Sequence, residues 1–490
     1  MQNLRIDRPI GRLSTICSAT ITGPSRIAWA CLIVWAATAG IAPAGDYDVS
    51  YFGFLEYEYF LNTKMEQDFE NANTKHELRH RAQFSLAGDA LSLYMVTNQY
   101  VLLNPFDDLD HDRFRYNDTS DVSRNLTISD EDYEISFNEF YLNYSGSGWR
   151  VRAGNQIYSW GTANATNPTS YFNPPDIREF VFRGDDESKP GIPSVSGMFF
   201  GDGYTVEVVL APIHVPDISA PNNDFWAIQI PNPNTHTLYF DRKDGMDITV
   251  ENMGLGARFS TNFGGADMAL SAYRGPDNKK DAIKVPHKIL YLPNEPLMIV
   301  VEPNYDIIHE VGMDFSMTAG QFVLKFEAIY SPDNPALIDQ DDKELKDLSW
   351  PFEVVKTDYV SFATGFNWFV PLNAILEEHE GESVFTCEFS KAKYLDSDVS
   401  EPFVPDLLTL RYDDSFLYGQ LTTSVTAVID TMSGSYLVWP QIGYIFQNGI
   451  RTDISYGYIR GVDDKDGLFD PIFYYFNEND VFMWRIRYEY

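Results

Sequence analysis

The last residues of the chain, Phe482-Met483-Trp484-Arg485-Ile486-Arg487-Tyr488-Glu489-Tyr490, put Phe, Trp, Ile, Tyr and Tyr on one face and Met, Arg, Arg and Glu on the other. Strand side chains alternate with period two, so this segment fits a wall with lipid on one side and water on the other. The opposite end repeats the pattern: Val49, Tyr51, Gly53, Leu55, Tyr57 and Tyr59 alternate with Ser50, Phe52, Phe54, Glu56, Glu58 and Phe60. Leu78, His80, Ala82, Phe84 and Leu86 interleave with Glu77, Arg79, Arg81, Gln83 and Ser85, and Asp89 turns the chain into Leu91-Ser92-Leu93-Tyr94-Met95, a hairpin.

Short polar turns recur at 145–148, 201–203, 262–265, 318–320, 413–415 and 447–449, separated by long acidic, Pro-rich connections near 61–74, 103–132, 159–191, 213–250, 276–305, 331–355, 395–404 and 462–479. Tight turns on one side and extended loops on the other predict an all-β fold, a single transmembrane antiparallel β-barrel. With both chain ends on the same side, the count is about 18 strands, with 16 the next choice. Residues 370–382, with Pro371, Asn373 and Glu377-Glu378-His379-Glu380, fit either a long turn or part of a strand, and a short connection at Asp430 to Ser435 must lie on the loop side.

Composition narrows the setting. Aromatic residues make up 15% of 490, and a formal net charge of -35 argues against nucleic acid as a partner, since duplex binding needs basic groups that displace counterions. Arg5, Arg8, Arg12 and Arg26 precede an apolar run from Ile27 to Ile41 and then Ala42-Pro43-Ala44, the pattern of an export signal cleaved after residue 44. The run falls short of the ~20 residues that span a bilayer comfortably, and no later stretch is apolar enough for a membrane helix. Of three cysteines, Cys17 and Cys31 precede that cleavage point and only Cys387 follows it, so no intramolecular disulfide is expected in the mature chain. The expected organisation is a leader over 1–44 and one barrel over 45–490 carrying an inserted loop at 159–191, with no plug domain ahead of the first strand.

One stretch resembles a known family. Arg152-Ala153-Gly154-Asn155-Gln156-Ile157-Tyr158-Ser159-Trp160-Gly161, followed by Asn173-Pro174-Pro175-Asp176-Ile177-Arg178-Glu179 and the strand Tyr204 to Pro212, is similar to a large Gram-negative family of porin-like outer-membrane barrels of unknown function. The resemblance is specific over 134–216. Members often appear beside genes for handling hydrophobic compounds, so it implies passive passage of small solutes across the cell outer membrane. The acidic outer loops depart from that family and leave its substrate preference open.

The candidate pathway residues follow from the inward face. Arg79 and Arg81, Arg150 and Arg152, and Arg485 and Arg487 are pairs two apart, so each pair shares the lumen side of its strand. Closure brings the first strands beside the last, and the arginines then either form a ladder that binds carboxylate-bearing or other anionic solutes, or pair with Glu56, Glu58, Glu77 and Glu489. Gln156, Trp160 and Gly161 sit where a strand enters the long loop. Asn173, Asp176, Arg178 and Glu179 would then fold inward as a constriction; the alternative places Trp160 in the aromatic girdle and makes Asp176 and Arg178 a local salt bridge.

Acidic clusters at 107–112, 341–344 and 463–467, the last with Asp463, Asp464 and Asp466, lack the spacing of a calcium loop and offer at most a weak metal site. Divalent bridging to lipopolysaccharide phosphates suits them better, and terminal Tyr490 resembles the signal read by the barrel-assembly machinery. The eight histidines are scattered and the chain holds no G-x-S-x-G, H-E-x-x-H or phosphate-binding Gly loop, so neither an enzyme nor a cofactor is expected. Two other roles compete with the channel: an envelope protein that binds polysaccharide or lipid through its loops, and a polymer-export barrel with a basic, open lumen.

Overall fold

The alternation at the two chain ends becomes a seam. Asp48–Asn62 pairs antiparallel with Val481–Glu489, in a register that sets Glu56 opposite Arg487 and Glu58 opposite Arg485. Glu56 and Glu58 are buried in the interior, while Leu55, Trp484 and Tyr488 lie exposed on the outside. The computed structural model describes residues 47–64, 73–103, 124–130, 133–183, 188–220, 225–227, 236–240, 245–278, 283–290, 297–338, 353–374, 379, 381–396, 398–399, 406–462 and 472–490. The leader and the clusters at 107–112, 341–344 and 463–467 lie outside the described residues.

Eighteen strands form the closed wall: Asp48–Asn62, Asn73–Ala87, Leu91–Leu102, Tyr133–Gly146, Trp149–Gln156, Ile192–Phe200, Tyr204–Ala211, Gly254–Phe263, Ala266–Pro276, Ile307–Ala319, Phe322–Leu337, Val354–Val370, Ser383–Tyr394, Leu407–Phe416, Leu421–Asp430, Tyr436–Ile445, Ile450–Arg460 and Val481–Glu489. Each pairs with its neighbours in chain order, and closure removes the free edges that lipid could not satisfy. Leu142, Leu210, Leu255, Phe259, Leu270 and Val311 are exposed outside, whereas Glu134, Glu310, Glu327 and Glu388 are buried inside. This inverts the sorting of a water-soluble protein and is the sorting of a barrel in lipid. Among the described residues no helix is long and apolar enough to cross a membrane.

Short turns crowd the rim that carries both ends and long connections the other, as the pattern predicts. After Val370 the described part of this connection opens with a 3-10 turn at Leu372–Ala374 and the next strand starts at Ser383, while 431–435 connect strands on the loop side. Two expectations are corrected. The turn expected at 413–415 falls later: the strand runs to Phe416, and Leu417, Tyr418 and Gly419 make the turn at positive φ (52°, 55° and 82°). Asp413 and Asp414 stay in the strand because neighbours satisfy them, Arg411 Nε at 2.8 Å from Asp413 and Ser383 Oγ at 2.8 Å from Asp414. The connections near 213–250 and 276–305 also contain regular structure, a three-stranded sheet of His236–Phe240, Ile283–Leu290 and Leu297–Asn304. A further short strand, Thr127–Asp130, pairs with the beginning of Tyr133–Gly146.

Gly53 fits the seam together. A Cβ there would stand 2.2 Å from the Arg81 carbonyl oxygen and 2.9 Å from the Tyr490 hydroxyl. The missing side chain lets Tyr490 lie across the first strand and reach the second, where its hydroxyl is 2.5 Å from His80 Nε2. Gly53→Val is expected to push these strands apart and cost roughly 1–3 kcal/mol. Midpoints of urea unfolding in detergent, followed by the gel shift between folded and unfolded barrel, check this; an unchanged midpoint would remove Gly53 from the seam.

Candidate functional site

The strand Trp149–Gln156 ends in a residue anchored twice: Gln156 Nε2 donates to the Ser194 carbonyl at 3.0 Å, and Ser196 Oγ donates to Gln156 Oε1 at 3.1 Å. Beyond it the chain turns into the barrel. Asn173 closes the neck, because an amide side chain carries both an acceptor and donors. Its Oδ1 accepts from the Tyr158 backbone N–H at 2.7 Å, and its Nδ2 donates to the carbonyls of Gln156 at 3.0 Å and Pro190 at 2.9 Å. One residue thus ties the start of the loop to its end.

Between these ties the loop crosses the lumen. The backbone N–H groups of Thr162 and Ala163 donate to Glu327 Oε1, and Thr169 Oγ1 donates to Glu327 Oε2 at 3.1 Å. Asn164 N–H donates to Glu388 Oε1 at 2.9 Å and Ala165 N–H to Glu388 Oε2 at 2.7 Å. Glu388 belongs to Ser383–Tyr394; between that strand and Trp149–Gln156 lie seven wall strands one way and nine the other. The loop therefore spans nearly a full diameter and is clasped by carboxylates on the far wall. Each hydrogen bond to a charged acceptor is worth roughly 1.5–3 kcal/mol.

Aromatic residues fill the space beneath the loop-side rim. Trp160 faces the lumen, and its Nε1 donates to Glu207 Oε2 at 2.8 Å, which rules out the aromatic girdle for this residue. It stands edge-on to Phe172 (5.3 Å) and Tyr171 (5.8 Å), and Tyr171 stacks on Tyr273 (5.3 Å). Burial pushes the Tyr158 phenol up to about 12, so it stays a neutral donor, with its hydroxyl 2.9 Å from Ser194 Oγ. A second apolar cluster, with Phe182, Trp226, Leu437, Ile459, Phe473 and Met483, packs the later part of the loop against the last strands.

Charges lock that later part. Arg178 lies between Asp176 (2.7 Å) and Glu134 of the wall (2.6 Å), and Arg183 Nε stands 3.4 Å from Asp176. Burial alone would raise the Asp176 carboxyl, but Arg178 and Arg183 hold it below its ordinary value. Glu179 meets Lys75 at 2.8 Å, and Lys75 also contacts Glu58 and, at 3.2 Å, Glu77. Arg485 pairs with Glu58 at 2.5 Å, while Glu56 takes Arg487 at 2.7 Å and Arg79 at 3.5 Å. Arg79, Arg485 and Arg487 therefore lie close together as expected, but interleaved with carboxylates.

The other arginines are placed differently. Arg81 and Arg152 both act electrostatically on Glu139. Arg152 sits over the Tyr141 ring (5.2 Å) and Arg150 over Phe200 (5.2 Å), and neither shares a salt bridge with a described carboxylate. Sequence reading missed Lys75, Glu134, Arg183, Glu327 and Glu388. Their strand parity marks four of them as inward, yet only the folded loop tells which carboxylates face backbone N–H groups. Among the described residues no group of acidic, His or Cys side chains is arranged to hold a metal.

No protein-family model matches the chain, and neither does any curated protein. Among solved structures it is similar to Pseudomonas aeruginosa OccK2 (OpdF) in complex with glucuronate, at 10% identity over 91% of this chain and 98% of that one (TM-score 0.46). P. aeruginosa OpdK with vanillate shows 9% identity over 90% and 98% (TM-score 0.45), and Salmonella typhi OmpF in complex with daunomycin 8% over 90% and 97% (TM-score 0.40). At such values the likeness carries no functional weight.

Proposed function

We propose that this chain is a passive outer-membrane channel for small solutes, narrowed by the loop that crosses its lumen. The observation that carries this reading is the clasp of residues 162–169 on Glu327 and Glu388, because a segment held across a water-lined barrel sets the size of what passes. The residues of the sequence resemblance support it: Gln156 and Asn173 build the neck, Trp160 packs inside it, and Asp176, Arg178 and Glu179 hold the return to the wall. The porin-like family of unknown function is the finer reading. The outer membrane is the setting, with the assembly machinery reading Tyr490 and divalent ions bridging the acidic loops to lipopolysaccharide.

Carboxylate-bearing solutes are the preferred class. Arg150 and Arg152 face the lumen and form no salt bridge with a described carboxylate, and each guanidinium lies on an aromatic face, a surface suited to an anion with an apolar body. In liposome swelling, small carboxylates should enter faster than neutral solutes of equal size, with a sharp size limit. Arg150→Ala with Arg152→Ala should lower the anion-to-cation permeability ratio roughly two- to fivefold, as expected for two charges lost from a wetted pore. Zero-current potentials across a salt gradient measure it; an unchanged ratio would exclude these arginines from the pathway.

The two aromatic clusters inside the lumen favour one competing reading, a closed barrel that binds envelope polysaccharide or lipid through its loops. Liposomes impermeable to every small solute would select it.

A further inference from the structure

The outward face of three adjacent strands carries an amphipathic stripe. From the rim with the chain ends upward, Val354–Val370 presents Trp368, Phe366, Thr364, Phe362, Val360, Asp358 and Lys356 outside, since the alternate positions Tyr359, Ser361 and Ala363 are buried inside. Ser383–Tyr394 likewise presents Phe385, Cys387, Phe389, Lys391 and Lys393, with Glu388 and Ser390 inside. Register sets Lys391 opposite Phe362 and Lys393 opposite Val360. Below the lysines the rings touch: Phe362 with Phe389 (6.1 Å), Phe366 with Phe385 (6.2 Å), and Phe322 stacked on Trp368 (5.9 Å).

Three lysines thus crown an aromatic stripe at the loop-side rim of the lipid face, in a chain with 71 acidic and 36 basic residues. Lys356 and Lys393 are exposed and have no described ion-pair partner; Lys391 pairs with Asp406, and Asp358 receives the Tyr330 hydroxyl at 2.8 Å. Lys391 and Lys393 are two residues apart, roughly 7 Å, and Lys356 lies about four residues further up the neighbouring strand, some ~13 Å. Long ammonium stems at an interface reach toward headgroups while their methylenes rest on the apolar surface.

We propose that this stripe binds one phosphorylated lipid of the outer leaflet, its phosphates on Lys356, Lys391 and Lys393 and its acyl chains on the aromatic rings beneath. The site lies outside the lumen and rests only on the barrel spanning the membrane, so it is separable from the channel reading. Charge complementarity names the ligand: an anion at the height where phosphate headgroups lie, attached to hydrocarbon.

The test uses the full chain purified from outer membranes in mild detergent, with retained lipid identified by native mass spectrometry. Wild-type protein should keep a phosphorylated glycolipid through delipidation, in the presence of EDTA and against excess inorganic phosphate. The triple variant Lys356→Gln, Lys391→Gln, Lys393→Gln should retain on the order of tenfold less, with the folded-barrel gel shift unaltered. Equal retention by the variant would overturn the proposal. So would loss from wild type in EDTA alone, which assigns the lipid to divalent bridges, and equal retention of a dephosphorylated lipid, which assigns it to the rings.

Discussion

Replacing Glu327 and Glu388 together with Ala should raise single-channel conductance about two- to threefold and turn a steady current into a rapidly fluctuating one. The two carboxylates accept the N–H groups of Thr162, Ala163, Asn164 and Ala165 and the Thr169 hydroxyl. Nothing else described holds this stretch to the far wall as firmly; Lys325 reaches the Asn164 side chain at 2.8 Å and Ser390 pairs with Thr166 at 3.2 Å. Without the carboxylates the loop stays tethered at its neck by Asn173 but loses its far anchor, so the narrowest section widens and flickers. The wall strands keep their ladders, and the folded-barrel gel shift should be unchanged. Conductance equal to wild type would mean that the crossing segment is not the narrowest section.

Arg178→Ala should destabilise the protein by roughly 3–5 kcal/mol, because it leaves Asp176 and Glu134 buried without their shared cation. Lys at this position should rescue only part of the loss, since the guanidinium meets Asp176 and Glu134 through different N–H groups at once and an ammonium lacks that planar fork. The pH dependence has a definite sign. Asp176 is held below its ordinary value in the folded state, so its contribution is fully present above the unfolded carboxylate value of about 4 and is lost as pH falls through the folded one. Wild-type loop packing should therefore persist at pH 5 and fail only in stronger acid. Urea midpoints of wild type and variants from pH 3 to 7 test both statements; a variant as stable as wild type at pH 7 would remove the Arg178 lock.

The wall was readable because lipid on one side and water on the other impose a strict period of two, and the residues at the seam obey it from Leu55 to Tyr59 and from Phe482 to Tyr488. Most loop-side and turn-side connections could be sorted by length, but the long one after Val370 and the short one at 431–435 only by strand parity. What the pattern could not show is the content of the lumen. Tyr158, Trp160, Tyr171, Phe172 and Phe182 sit in a Pro-rich stretch without periodicity, so nothing local marks them as two apolar clusters inside a polar barrel. The arginines were readable as inward, but their partners depend on which strands closure makes neighbours. Glu56 serves both Arg79 and Arg487 only because the first strand lies between the second and the last. Lys75, which joins Glu58, Glu77 and Glu179, was invisible for the same reason: one of its partners arrives on the inserted loop.

The loop-narrowed channel is tested most directly by single-channel recording of the purified, folded full chain in a planar bilayer, side by side with the Glu327→Ala, Glu388→Ala variant. Wild type should give stable, discrete open steps and the variant larger, noisier ones. Membranes that stay electrically silent with both proteins, each shown to be folded, would contradict it.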